Sequence, residues 1–279
     1  MNNNSYKNLR FTNDFMFCKI LTNNPDLCKE LIETILDVKI KDILTLEQQE
    51  PIEITPDGRG IRLDVRVENE ESIYCVEMQN TKQDNIPKRS RYYQALTDMD
   101  SLHRNEDYED LKKSYVIFIC NFDLFKRGFR RYVFRTLCVD DPSIEMGDEV
   151  EKVFLNAKGT EGNASEKLQE FLNYVATGKP EGELSERLED EVKMAQNNPM
   201  WEAEYAAYYL KLRDERKAGR EEGLKEGREQ GLEQGILQGR QQLFLQLLDQ
   251  GKSVEEIADF YNMPIEKVTE IVQYEPAEE

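Results

Sequence analysis

Ile61-Arg62-Leu63-Asp64-Val65-Arg66-Val67, the acidic connection Glu68-Asn69-Glu70-Glu71, and the run Ile73-Tyr74-Cys75-Val76-Glu77-Met78-Gln79 form the stretch that decides the fold. Both runs have strand length, and Pro56-Asp57-Gly58 is a turn signal ahead of them. Alternation in the first run sets Arg62, Asp64 and Arg66 on one face and apolar residues on the other. In the second run Glu77 and Gln79 are two residues apart and leave the same face. So short a connection predicts an antiparallel hairpin, and the hairpin can bring Asp64 and Glu77 together. Two carboxylates with a nearby carbonyl and waters make an oxygen donor set suited to Mg²⁺. Such a cation polarises a phosphodiester and supplies hydroxide for in-line attack. Gln79 could orient the attacking water or the metal shell. Asp14, or else Glu30 or Glu33 on the preceding helix, would add a further carboxylate. By spacing alone the same residues also fit a solvated sheet face, with Asp64 in a surface ion pair with Arg62 or Arg66.

Working outward, Asp14 to Leu36 reads as helix, with Phe15, Phe17, Ile20, Leu21, Leu27, Leu31, Ile32 and Ile35 on a broad apolar face and an interruption near Pro25. Asp14 falls in its first turn, where a carboxylate favours the helix dipole. After the hairpin come a helix from about Pro87 to Leu102 and a buried strand, Tyr115 to Cys120. Tyr132 to Val139 and Val153 to Leu155 read as further strands. This order makes an α/β or α+β domain ending near residue 175.

The 279 residues carry a formal net charge of −19, with 39% hydrophobic and 33% charged residues. That balance fits a normal core diluted by a long solvated helical region. A chain this acidic repels nucleic acid unless basic residues cluster on one face. Two runs offer such clusters. Lys82, Lys88, Arg89 and Arg91 follow the second strand. Lys126, Arg127, Arg130, Arg131 and Arg135 are interleaved with Phe125, Phe129 and Tyr132. Pairing of Arg130 and Arg135 with the abundant acids is the competing reading. His103 is the single histidine, which argues against a zinc site and against Ser-His or Cys-His nucleophiles. The five scattered cysteines, without a CxxC pair, suit reduced thiols of a cytoplasmic protein. The opening residues show no apolar signal segment, and no stretch approaches membrane-spanning length.

Leu184 to Arg216 is helical in pattern and charge-rich. Gly219, Gly223, Gly227, Gly231, Gly235 and Gly239 then recur every four residues. Glycine inside a helix costs about 1 kcal/mol relative to alanine, so the six cost roughly 6 kcal/mol together. The segment is therefore either a flexible tether or a stripe that lets a second helix come close, which would make the chain a homo-oligomer. Ser253-Val254-Glu255-Glu256 has the form of a capping box. Two short helices broken at Asn262-Met263-Pro264 follow it. They resemble a helix-turn-helix, but Glu266 and Glu270 suit a protein contact better than a DNA groove.

Taken in order, these features resemble the Rpn family of recombination-promoting nucleases, often described as transposases, within the PD-(D/E)XK nuclease superfamily. Phe11-Thr12-Asn13-Asp14-Phe15-Met16-Phe17-Cys18-Lys19 is similar to the family's opening helix. Arg62-Leu63-Asp64-Val65 with Val76-Glu77-Met78-Gln79 resembles its catalytic hairpin. Arg89-Ser90-Arg91-Tyr92-Tyr93 with the strand from Tyr115 resembles its next helix and strand, and the glycine repeat and helical tail are also typical. The resemblance implies a restriction-endonuclease-like core, a central mixed sheet flanked by helices, over residues 1–175. It is followed by a helical glycine-repeat region over 176–242 and a small helical module over 243–279. It implies DNA cleavage with Mg²⁺ (or Mn²⁺), linked to recombination, transposition or phage defence. By position, Asp64 and Glu77 ligate the metal, Gln79 takes the superfamily lysine position, and Asp14 is the acid of the first helix. Leu63 replaces the proline of the name motif. Gln79 cannot stabilise developing negative charge as an ammonium does, and Lys19 or Lys82 is the expected substitute.

Overall fold

A computed structural model describes residues 6–48, 51–52 and 61–274. The turn expected at Pro56-Asp57-Gly58 lies outside the described residues. The expected first helix is two helices, α1 (Asp14–Asn23) and α2 (Pro25–Leu36). The Asn13 side chain caps α1 by accepting from the amides of Phe15 and Met16. Pro25 opens α2, where its missing N–H costs nothing.

Strands β1 (Thr45–Gln48), β2 (Pro51–Ile52), β3 (Ile61–Arg62), β4 (Val65–Glu68) and β5 (Ser72–Gln79) follow, then α3 (Ile86–Ser101), β6 (Lys113–Cys120), β7 (Arg131–Phe134) and β8 (Val150–Asn156). Among the described residues the main sheet runs β1-β4-β5-β6-β8-β7, while β2 and β3 pair separately. It is a mixed sheet. The β4–β5 pair is antiparallel, with Val65 opposite Val76. The β5–β6 pair is parallel, with Glu77 beside Phe118. The expected strand from Tyr132 to Val139 is shorter, ending at Phe134.

Residues on alternate sides of the strands pack against different helices. On one face Ile86, Tyr93 and Leu96 of α3 cover Leu63, Ile73, Cys75, Val116, Phe118 and Cys120. The alternate residues Val65, Val67, Val76, Met78, Ile117 and Ile119 are buried as well. They turn to the layer made by α1, α2, α4 (Glu166–Thr177) and α5 (Gly182–Gln196). A sheet covered on both sides reads as continuous apolar runs, as Tyr115 to Cys120 does.

The first compact unit extends to Tyr205, past the boundary expected near residue 175, because α5 packs on α1, α2 and α4. The second unit covers 206–279. Helix α6 (Pro199–Asp249) runs without interruption through all six repeat glycines. The segment is thus a helix and not an irregular tether. A Cβ at any of these glycines would meet nothing within 4 Å. The expected capping box forms at Ser253 and Glu256, opening α7 (Val254–Tyr261), and α8 (Ile265–Val272) follows. Phe244, Ile257, Ala258, Val268 and Ile271 close a small core there.

Candidate active site

The hairpin expected from the sequence has a break in its first strand, and the break makes the site. Pairing of β4 with β5 stops at Val65 opposite Val76, and β3 departs to pair with β2. One step further, the ladder would have joined Asp64 to Glu77. Side chains take over there instead. Glu77 Oε1 accepts from the Asp64 amide at 2.9 Å, and Asp64 Oδ2 accepts from the Met78 amide at 2.9 Å. Buried amides must be satisfied somewhere, and the two carboxylates do this reciprocally. Each thereby commits one oxygen to a fixed donor, which sets its position.

The surroundings differ from the solvated face that alternation also allowed. Glu77 is 2% exposed and Arg66 8% exposed, because α3 lies over this side of the sheet. Arg66 is not a partner of Asp64; it donates to Asp100 at 2.7 Å. Burial pushes the Asp64 carboxyl up to about 7, and the charge of Asp14 adds to the rise. The Met78 amide and the charges of Arg89 and Arg62 pull the other way. Glu77 is likewise raised well above the usual carboxylate range, first by burial and then by Asp64. Two carboxylates are thus held together, Glu77 buried and Asp64 half-buried, and Asp14 of α1 lies near enough for its field to act on both.

The remaining expectations divide. Glu30 and Glu33 are engaged elsewhere. Glu30 pairs with Arg187 at 2.5 Å, and Glu33 pairs with Lys39 and accepts from the Ile40 amide. Lys19 does not supply a cation to the pair: it bridges to Glu204 and lies over the rings of Phe15 and Trp201. Lys82 is exposed and faces Asp84 at 3.4 Å. The cation that does reach the site is Arg89, expected from the sequence as a DNA contact. Its guanidinium lies 3.8 Å from Glu77 Oε2 and donates to Gln79 Oε1 at 3.3 Å and to the Tyr93 hydroxyl at 2.8 Å. Sequence reasoning missed Tyr93. The signal was available, because Arg89 and Tyr93 are four apart on a helix and so share a face.

The basic runs also divide. Lys88 and Arg91 are exposed on α3. Asn121 donates to the Gln79 carbonyl, so the loop after β6 leaves the sheet beside the end of β5. Lys126 and Arg127 are exposed on that loop. Arg130 and Arg131 have structural partners instead: Arg130 donates to Asn173 at 3.2 Å, and Arg131 to the Ile35 carbonyl at 2.9 Å. Arg135 pairs with Glu145 and Glu151 and not with tail acids.

The mixed sheet with helices packed on it is consistent with what a comparison with family models finds. The model for "PD-(D/E)XK nuclease family transposase" matches residues 11–231. The chain belongs to that family. No curated protein and no solved structure matches it. The family match spans the sheet, α3 and part of the glycine-bearing helix. It supports a nuclease-type function, a restriction-endonuclease-like α/β fold and DNA as the substrate class. Among the described residues no helix is long and apolar enough to cross a membrane. Nor do three or more His, Cys, Asp or Glu side chains gather there as a metal site. The pair Asp64 and Glu77 still suits a divalent cation. Burial and mutual repulsion favour neutralisation, by protons or by a cation. A cation such as Mg²⁺ needs only one or two protein carboxylates, since it keeps several waters.

Proposed function

We propose that the protein is a Mg²⁺- or Mn²⁺-dependent DNA endonuclease that hydrolyses phosphodiester bonds in recombination, transposition or phage defence. The observation that carries this reading is the reciprocal clamp of the half-buried Asp64 and the buried Glu77, two carboxylates fixed by each other's strand. Asp64 and Glu77 would hold the metal, and Asp14 adds negative charge from α1. A bound divalent cation supplies Lewis-acid polarisation of the phosphate and a more acidic water. Gln79, at the half-buried end of β5, orients the water through its amide. Lys82, Lys88, Arg91, Lys126 and Arg127 offer charge to the DNA backbone.

Plasmid DNA with Mg²⁺ should be nicked or linearised, and Asp64→Ala or Glu77→Ala should abolish this. Equal activity in both variants would sink the assignment. One observation favours a second reading, a catalytically idle DNA-associated or regulatory relative: among the described residues no third ligand gathers with the pair. Calorimetric titration with Mn²⁺ separates the two, since an idle site shows no binding that depends on the carboxylates.

We also propose a cytoplasmic homo-oligomer assembled through α6, supported by glycines that no described side chain uses. Changing Gly227 and Gly231 to Leu in the full chain should alter the mass measured by light scattering. An unchanged mass rules out this face.

A further inference from the structure

Gln79 leaves the site with an unsolved electrostatic problem. In phosphodiester hydrolysis the water oxygen bonds to phosphorus as the bond to the departing sugar oxygen breaks. One hydrogen of the water ends on that oxygen. Negative charge builds on the phosphate oxygens meanwhile, and a neutral amide meets it poorly. Lys19 is engaged with Glu204, and the exposed Lys82 faces Asp84 at 3.4 Å, among the cations that offer charge to the DNA backbone.

We propose that Arg89 is the catalytic cation of this site, its guanidinium held over Glu77 and Gln79 so that it meets the charge developing on the scissile phosphate. Three observations support this. The guanidinium spans both strand residues, 3.8 Å from Glu77 Oε2 and 3.3 Å from Gln79 Oε1. It is pinned from behind by the Tyr93 hydroxyl at 2.8 Å, and it stacks 5.4 Å from the Tyr93 ring centroid and 5.7 Å from that of Phe118. It keeps a quarter of its side-chain surface open, and Gln83 also accepts from it at 3.1 Å. Arg89 stands back from Glu77 and donates to the neutral Gln79.

The inference rests on the nuclease reading, and the tests separate the two. Arg89→Gln should lower kcat for plasmid nicking by roughly 10²- to 10³-fold, as loss of one transition-state donor does, with KM little changed. Metal binding gives a second readout. Removing a cation beside the carboxylates should tighten Mn²⁺ by roughly three- to tenfold in calorimetry, whereas collapse of a structural contact weakens it. The double variant Gln79→Lys/Arg89→Gln returns an ammonium to the same spot and should recover at least about tenfold over Arg89→Gln. If Arg89→Gln does not fold, Arg89→Met keeps the apolar stem over Tyr93 and Phe118 and serves in its place.

Wild-type kcat in Arg89→Gln, with Asp64→Asn and Glu77→Gln both inactive, overturns the Arg89 inference alone. So does a loss of kcat accompanied by weaker Mn²⁺ binding and no recovery in the double variant. If the carboxylate variants cut as well as wild type, the nuclease reading itself has failed.

Discussion

The end of β5 and the strand β7 both concentrate charge on the same sheet, and they handle it in opposite ways. At β7 and just after it each arginine is matched: Arg131 has the Ile35 carbonyl, and Arg135 has Glu145 and Glu151. At β5 two acids are crowded together, one buried and one half-buried, with a third acid near and one arginine held back at 3.8 Å. Matched charge is how a fold solves its own solvation. Crowded like charge costs stability, and a fold retains it where an added cation or substrate completes the arrangement.

The largest effect that tests this contrast is at Asp64. Asp64→Asn keeps an acceptor for the Met78 amide but removes the charge, so nicking should fall by ~10³-fold or more, on the scale seen when essential catalytic groups are removed. Stability should move the other way. The folded protein holds the Asp64 proton up to about 7 against an ordinary 3.8. The stability tied to that proton is fully present below pH 3.8 and is lost as pH rises through about 7. In chelator at pH 8, Asp64→Asn should therefore melt higher, by on the order of 1–4 kcal/mol, with no gain at pH 4. A lower melting temperature at pH 8 would mean the pair is structural and the contrast false.

The next effect separates loop cations from strand cations. Lys126→Asn with Arg127→Gln should cut the salt dependence of DNA binding by about two units of log–log slope, and leave melting unchanged. Asn is chosen because Lys126 has a φ of 56°, which Asn tolerates. Arg131→Ala should do the reverse, costing ~1–2 kcal/mol of stability through the orphaned Ile35 carbonyl, with the salt slope intact. If Arg131→Ala changes the slope, its match is not what the geometry says.

Smaller still is Arg135. Its ion pairs are half-exposed, so Arg135→Ala should cost less than ~1 kcal/mol in chemical denaturation. The cysteines give the finest check. Cys18, Cys28, Cys75 and Cys120 are buried, and burial pushes the thiols of Cys28, Cys75 and Cys120 up to about 12. A thiol reagent should therefore label only Cys138 rapidly in the native protein. Fast labelling of a second cysteine would show that the sheet faces open more readily than their packing implies.

What the sequence determined by itself follows from local physics. Pro25 and Asn13 specify where the first two helices begin, because caps and missing N–H groups act within a few residues. The hairpin, the buried strand at Tyr115 and the capping box at Ser253 were legible for the same reason. The family resemblance, carried by motif order, pointed to Asp64 and Glu77 without their geometry. Other features could be decided only by the tertiary structure. Alternation could not show that α3 buries the polar face of the hairpin, since that depends on a helix packing back across the sheet. It could not show that β3 peels away at Asp64, leaving two amides for the carboxylates to take up. Composition grouped Arg89 with Lys88 and Arg91, and Arg131 with Arg127. Which of them faces a carboxylate, a carbonyl or solvent depends on contacts between residues up to 96 positions apart, as Arg131 and Ile35 are. Asp64 and Glu77 are named by the sequence, and the close pairing of their carboxylates is made by the fold.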